Sequence, residues 1–167
     1  MATPSPRVWT IARLSLGFTL DQVSAGLAGL NPLDALLVLA INQANIAPLT
    51  RDPNARQAYG ALDHAAPDDA RRPASINAMA NSLGIPFETT RRRVKRLEAE
   101  GVCAIVPGAG VLIPESFLTS ERYLQSVMAA HDRLVGFYGQ LLAHNLLDPL
   151  PDTNYAVDEG VPLRGAR

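Results

Sequence analysis

Residues 75–101 read SINAMANSLGIPFETTRRRVKRLEAEG and predict two helices joined by a tight turn. Ser75 is a good N-cap for a first helix whose apolar residues recur every three or four positions. Gly84 ends that helix, because glycine readily adopts the left-handed conformation that follows a helix, and Pro86 suits the start of the next one. The pattern therefore predicts a second helix over residues 87–100.

The second helix concentrates positive charge. Five of the six residues 91–96 are basic, and an inward stripe of Thr90, Val94 and Leu97 leaves most of them on the outer face and the flanks. Like charges three or four residues apart destabilise an isolated helix by roughly 0.2–0.5 kcal/mol per pair. An anionic partner would remove that penalty, so we expect one; a solvated charged face is the alternative.

Part of this region resembles a known family. The residues that carry the resemblance are Ala80, Leu83, Gly84, Ile85, Pro86, Thr89, Arg91, Arg92, Val94, Arg96, Leu97 and Gly101. Together they resemble the helix-turn-helix of winged-helix transcriptional regulators of the IclR and MarR type. The following segment agrees, with a strand predicted over 102–106, a turn over 107–110 and a returning strand over 111–113. The turn lacks the basic tip of many wings, which argues against a wing contact with DNA.

The resemblance implies a cytoplasmic, homodimeric regulator of transcription that binds double-stranded DNA, with helix 87–100 in the major groove and a near-palindromic operator. The predicted base-reading residues are Thr89, Arg91 and Arg92. The residues assigned to phosphates are Ser75, Arg93, Lys95, Arg96, Arg71 and Arg72. Arg71 and Arg72 fit a solvated charge pair equally well. Glu88 either accepts from cytosine or pairs with Arg92 four residues on, and we favour the pair.

The charge distribution supports a polyanionic partner although the net charge of the whole chain is only −1. Residues 71–97 contain seven basic residues and one acidic residue, a local net charge of +6, so the rest of the chain carries −7. Such segregation marks one face of a protein for a polyanion. The 167 residues, 47% of them apolar, suffice for one domain with a core and extensions.

The predicted fold class is mainly α with a small β-wing, in four segments. Residues 1–30 form an N-terminal helical extension, with a short helix around 8–16 and a second over 20–30. Residues 31–114 form the winged helix-turn-helix domain, which contains a long connection over 50–73 with one short helix. Its first helix is closed by the polar side chains of Asn42, Gln43 and Asn45. These either bind a phosphate or small ligand or make caps and internal hydrogen bonds, and we favour the second. Residues 115–147 form a C-terminal dimerisation helix, and 148–167 a disordered tail.

The C-terminal helix has an apolar seam that requires a partner. Its predicted interface residues are Leu124, Val127, Met128, His131, Leu134, Val135, Tyr138, Leu141 and Leu142. The spacing suits pairing with a second copy or packing against the N-terminal helices, and the two can occur together. His131 is either a pH switch or a hydrogen-bonded interface residue, and we favour the second.

The sequence offers no recognisable catalytic or metal chemistry. One cysteine and three scattered histidines give no metal-ligand spacing, and no phosphate-binding loop or nucleophile elbow occurs. We therefore predict no enzyme and no cofactor, and interpret Cys103 as a small buried residue rather than a redox thiol. The longest apolar run, 33–41, is too short to cross a bilayer, and the N-terminus does not resemble a signal peptide.

Two alternatives remain. A winged helix can also be a protein-interaction module without DNA binding. A regulator can also sense a small molecule, of unknown identity, between the terminal helices and the winged domain.

Overall fold

The computed structural model describes residues 6–59 and 66–147, which are mainly helical with one two-stranded antiparallel sheet. The coarse fold class is as predicted; the predicted tail, 148–167, lies outside the described residues. In chain order the elements are α1 (Pro6–Ala25), α2 (Pro32–Thr50), α3 (Pro53–Ala58), α4 (Ile76–Leu83), α5 (Phe87–Ala99), β1 (Ala104–Val106), β2 (Gly110–Leu112), α6 (Glu115–Leu118) and α7 (Glu121–Ala143).

The helix α2 is the centre of the core. The Asn31 side chain caps it by accepting a hydrogen bond from the Asp34 N–H at 3.2 Å, and Leu37, Val38 and Ile41 are fully buried. By length and composition alone α2 is apolar enough to cross a membrane; Leu37, Val38 and Ile41 lie in the core, whereas Leu36 and Leu39 are exposed. The prediction that Asn42, Gln43 and Asn45 close this helix is wrong, because it continues to Thr50.

Asn45 is instead a buried link between α2 and the sheet. Its side-chain amide donates to the carbonyl oxygens of Arg72 at 2.8 Å and Val111 at 3.1 Å, and accepts from the Ile113 N–H at 3.0 Å. Three hydrogen bonds satisfy this amide without water. The expected internal hydrogen bonding of the polar side chains in α2 is confirmed at this residue.

The pair α4–α5 forms as the sequence predicts. The Ser75 hydroxyl caps α4 by accepting from the Ala78 N–H at 3.4 Å. Gly84 ends α4 with φ +64°, and the Ile85 N–H donates back to the Ala80 carbonyl at 3.0 Å. The chain then turns at Pro86 into α5. Because each of these signals is local, no distant contact is needed to specify the turn.

The two-stranded sheet is short, and the backbone of the segment before α4 pairs with its second strand. Ala104 pairs with Leu112 and Val106 with Gly110, so β1 is shorter than the predicted strand over 102–106. Ala74, just before α4, bridges to Val111 through two backbone hydrogen bonds of 2.8 Å. The resulting order around the core is α2, the bridge residue, α4, α5, β1 and β2.

The terminal helices α1 and α7 pack on each other. Phe18 and Phe137 stack with ring centroids 4.6 Å apart, and Arg133 donates to the Gln22 side chain at 2.6 Å. Packing of the C-terminal helix against the N-terminal one, one of the two predicted alternatives, is therefore confirmed. The predicted division of residues 6–25 into two helices is wrong, because α1 continues through Gly17.

The predicted helix over residues 20–30 also ends early. Gly26 and Gly29 have positive φ angles, and Leu30 hydrogen-bonds back to Leu27 at 2.9 Å in a tight turn before α2. The short helix predicted in the connection over 50–73 is confirmed as α3.

Candidate nucleic-acid interface

The helix α5 presents a polar outer face because its inner stripe is packed in the core. Thr90, Val94 and Leu97 are buried, so helical spacing directs Arg92 and Lys95 to the opposite side. Both side chains are exposed. Neither makes a hydrogen bond or ion pair with any residue in the ranges 6–59 and 66–147. These two cations are therefore available to a ligand.

The predicted base-reading residues differ in their surroundings. Arg92 is exposed at the centre of the outer face, whereas Thr89 is half-buried on its flank. Arg91 forms two hydrogen bonds to the Glu88 carboxylate, at 2.9 and 2.7 Å. The expectation that Glu88 pairs with Arg92 is thus wrong, because the residue three positions on lies closer than the one four positions on.

The Glu88–Arg91 pair stays charged near neutral pH. The Arg91 hydrogen bonds lower the pKa of Glu88, and the same bonds raise the pKa of Arg91. Both side chains are well exposed, and solvent screens such surface pairs strongly. An incoming phosphate or base edge can therefore compete with Glu88 for Arg91.

Two of the arginines assigned to phosphates are held by a buried carboxylate. Arg93 Nη1 donates to Asp34 Oδ1 at 2.8 Å, and Arg96 Nη2 donates to Asp34 Oδ2. Asp34 is only 1% exposed, in the first turn of α2. The assignment of Arg93 and Arg96 to phosphates is corrected accordingly, since a buried carboxylate requires these cationic donors.

Sequence reasoning missed the role of Asp34. An acidic residue in the first turn of a helix is ordinarily explained by the helix dipole. The available signal was its place in a helix that is apolar nearly all round, where a carboxylate has to find a partner.

Arg71 was also assigned to phosphate, and the structure contradicts this. Its side chain is fully buried, donates to the Ile113 carbonyl at 2.5 Å and forms an ion pair with Asp68. It joins the segment before α4 to the end of the sheet. The neighbouring Arg72 side chain is exposed, so it remains a candidate for phosphate contact.

Ser75 lies at the N-terminus of α4, where its hydroxyl acts as the N-cap. Backbone amides at such a terminus are suited to anions, but the hydroxyl itself already has a hydrogen-bond partner.

The predicted interface residues of α7 differ in burial. Leu124, Val127 and Leu141 are partly buried, whereas Met128, His131, Leu134, Val135, Tyr138 and Leu142 are exposed. The helix α1 has an exposed apolar stripe as well, which sequence reasoning did not assign to an interface. It comprises Val8, Trp9, Leu16, Leu20 and Val23, with Trp9 63% exposed. The spacing 9, 16, 20, 23 was the available signal.

Cys103 is buried beside α5, as expected. Burial and the nearby Glu98 carboxylate raise the pKa of its thiol to about 12, and the thiol donates to the Val94 carbonyl at 3.5 Å. A protonated thiol is a poor nucleophile and metal ligand.

A cavity of about 410 Å³ lies between α7 and the turn that follows α1. It is lined in part by Arg122, Ser126, Arg133 and Gly29. All of its lining residues belong to the terminal segments 25–29 and 122–133, so it differs from the predicted pocket between the terminal helices and the winged domain. Within the described part of the chain, no group of three or more His, Cys, Asp or Glu side chains is placed to hold a metal ion.

Comparison of the chain with protein-family models, with curated proteins and with solved structures found no match.

Proposed function

We propose that this protein is a cytoplasmic, sequence-specific DNA-binding regulator of transcription that acts as a homodimer. Residues 31–114 would be its winged helix-turn-helix domain, since α2, the Ala74 bridge, α4, α5, β1 and β2 follow the order of that fold. The observation that carries the proposal is the outer face of α5, where Arg92 and Lys95 are exposed and unpaired among the described residues. The inner stripe of the same helix is buried in the core.

The proposed mode of binding places α5 in the major groove, with its N-terminal half nearest the bases. Arg92 would pair with a guanine through two hydrogen bonds. Arg91 would release the Glu88 carboxylate and bind a base edge instead. Thr89 would contact the flank of that base. Lys95 and Arg72 would bind phosphates, which position the protein without reading sequence.

The homodimer is supported by apolar side chains that the monomer leaves in water. No residue of α7 is buried, and Met128, Val135 and Leu142 recur at seven-residue intervals on its exposed side. Tyr138 lies between the last two, as expected of a helix-pairing seam. A two-fold dimer would place two α5 helices on half-sites about one DNA turn, roughly 34 Å, apart.

The test compares two variants on DNA selected from a random pool. Arg92→Ala should relax base preference and cost about 1–3 kcal/mol at the selected site, because a bidentate base contact is lost. Lys95→Ala should weaken binding to all sequences alike and flatten the dependence of log affinity on log salt by about one unit. Fluorescence anisotropy titrations measure both effects. Equal losses on every sequence for both variants would contradict these roles.

A protein-interaction module is the second candidate, because acidic residues offset most of the charge of α5. Asp34 pairs with two of its arginines, Glu88 with a third, and Glu100 lies 3.6 Å from Arg96. The turn after β1 is also uncharged. Failure of the full chain to bind random duplex DNA at low ionic strength would favour this candidate.

A further inference from the structure

We propose that Asp34 is a specificity-determining residue of the DNA-binding surface: it holds Arg93 and Arg96 away from the DNA backbone and thereby limits sequence-independent binding. This inference rests on the proposed DNA binding and concerns the regulation of that same surface.

The contacts of Asp34 occupy both of its oxygens. Oδ1 accepts from Arg93 at 2.8 Å, and Oδ2 accepts from Arg96 and from the Asn31 side chain. Asn31 and Asp34 bond each other reciprocally, because the Asp34 N–H donates to the Asn31 side chain. The carboxylate is thereby fixed at the N-terminus of α2 in one orientation, facing α5.

The two arginines that bind this carboxylate differ in solvent exposure. The Arg93 side chain is 28% exposed and the Arg96 side chain 50%. Both therefore border the solvent from which DNA would approach, while Asp34 itself has almost no solvent contact. Because the buried carboxylate lacks water to solvate it, it requires at least one of the two cations. DNA phosphates therefore have to compete with Asp34 for these arginines.

The consequence for DNA binding follows from counterion release. Each phosphate neutralised by a cation steepens the salt dependence by about 0.9 and strengthens binding to every sequence alike. If all five cations of α5 reached phosphates, sequence-independent affinity would dominate. With Arg93 and Arg96 held by Asp34, the exposed cations at the centre of the face are Arg92, the proposed base reader, and Lys95.

The first experiment replaces the carboxylate by its isostere in the full chain. Asp34→Asn should steepen the salt dependence of binding to random duplex DNA by up to about two units and raise that affinity about tenfold or more. The ratio of selected-site to random-site affinity should fall. Asp69→Asn is the matched control, because it removes one exposed carboxylate and should behave as the unsubstituted chain.

The second experiment does not depend on the folding of Asp34→Asn. Arg93→Gln and Arg96→Gln each leave Asp34 one arginine, and neither should flatten the salt dependence. Lys95→Gln, the same change of charge on the same helix, should flatten it by about one unit. Circular dichroism establishes that each variant is folded.

The outcomes separate this inference from the proposed function. A salt dependence of Asp34→Asn equal to that of the unsubstituted chain would overturn the inference and leave DNA binding intact. Flattening by Arg93→Gln and Arg96→Gln as large as that by Lys95→Gln would also overturn it. If the unsubstituted chain does not bind DNA, the proposed function fails; a gain of salt-dependent binding by Asp34→Asn would then still support the inference, and no gain would overturn it.

Discussion

Among single residues, the buried Asn45 joins three separate points of the backbone with one side chain. Its amide bonds Arg72, Val111 and Ile113 at once. Its loss would remove the bonds to the Arg72 carbonyl and the Ile113 N–H, whereas the Val111 carbonyl would keep its hydrogen bond from the Ala74 N–H. We expect Asn45→Ala to lower the free energy of unfolding by about 2 kcal/mol or more, because buried polar groups would be left unsatisfied.

Urea denaturation measures that change. The control is Gln43→Ala, an exposed position on the same helix, which should change the free energy of unfolding by less than about 0.5 kcal/mol. Equal effects of the two substitutions would contradict the linking role of Asn45.

The raised pKa of Cys103 predicts how the free energy of unfolding depends on pH. Burial raises its pKa from an ordinary 9.0 to about 12 in the folded protein. The unfolded chain therefore loses this proton first, and the stability contributed by the thiol is fully present below pH 9 and falls as the pH rises toward 12. The free energy of unfolding should decline less over pH 9–11 in Cys103→Ala than in the unsubstituted chain. A parallel decline would contradict the raised pKa.

The candidate site was predictable where its signals are local. Thr90, Val94 and Leu97 could be recognised as inward from spacing alone, which leaves Arg92 and Lys95 facing outward. The roles of Arg71, Arg93 and Arg96 could not, because they depend on Asp68 and Asp34. Asp34 is about sixty residues from its arginine partners along the chain, and no periodicity encodes that separation.

At the scale of elements, the sheet depends on a glycine. Gly110 has φ +135°, and a Cβ there would lie 2.3 Å from the Ala74 carbonyl oxygen, across the bridge that joins β2 to the segment before α4. We expect Gly110→Ala to lower the free energy of unfolding by about 2–4 kcal/mol through steric overlap and backbone strain.

Gly108, in the turn of the same hairpin, gives the control. It has φ +74° but open space around it, so Gly108→Ala should cost only the strain of a left-handed residue, about 1–2 kcal/mol. Thermal unfolding of both variants tests whether Gly110→Ala is the more destabilising substitution. A Gly110 variant as stable as the Gly108 variant would show that the close approach to Ala74 is not maintained in solution.

Element boundaries were predictable to the extent that capping residues mark them. Ser75, Gly84 and Asn31 placed α4 and the start of α2 correctly, because each forms a hydrogen bond or backbone conformation within its own turn. The interior of α1 was not predictable in this way. Gly17 costs a helix about 1 kcal/mol, but the packing of Phe18 on Phe137 keeps α1 continuous across it.

At the scale of the whole molecule, the exposed apolar residues of α1 and α7 predict association. We expect Val135→Glu to convert the dimer to a monomer in sedimentation experiments at micromolar concentration, because a buried unpaired charge at the seam is strongly unfavourable. Gln140→Glu places the same charge at an exposed position away from the seam residues and should leave the dimer intact. A monomeric unsubstituted chain, or a dimeric Val135 variant, would contradict the proposed interface.

The overall architecture was only partly predictable. Apolar residues at intervals of three or four predicted mainly helical structure, and the turn over 107–110 predicted one hairpin, but spacing could not decide what covers the seam of α7. The structure shows that α1 packs on Phe137 and Arg133 of α7, neither of which is a predicted seam residue. Most of the seam residues face water in the monomer, and pairing of chains is a property that a single sequence pattern does not determine.

If α5 presents unpaired cations to duplex DNA, the affinity of the protein for DNA should depend on salt concentration. The affinity of the full chain for a random duplex is measured by anisotropy at several salt concentrations. We expect log affinity to fall linearly with log salt, with a slope of about −0.9 for each phosphate contacted. The slope should be shallower when Arg92 and Lys95 are both replaced by glutamine. Absence of binding at low ionic strength, or a slope unchanged by the double substitution, would contradict this role of α5.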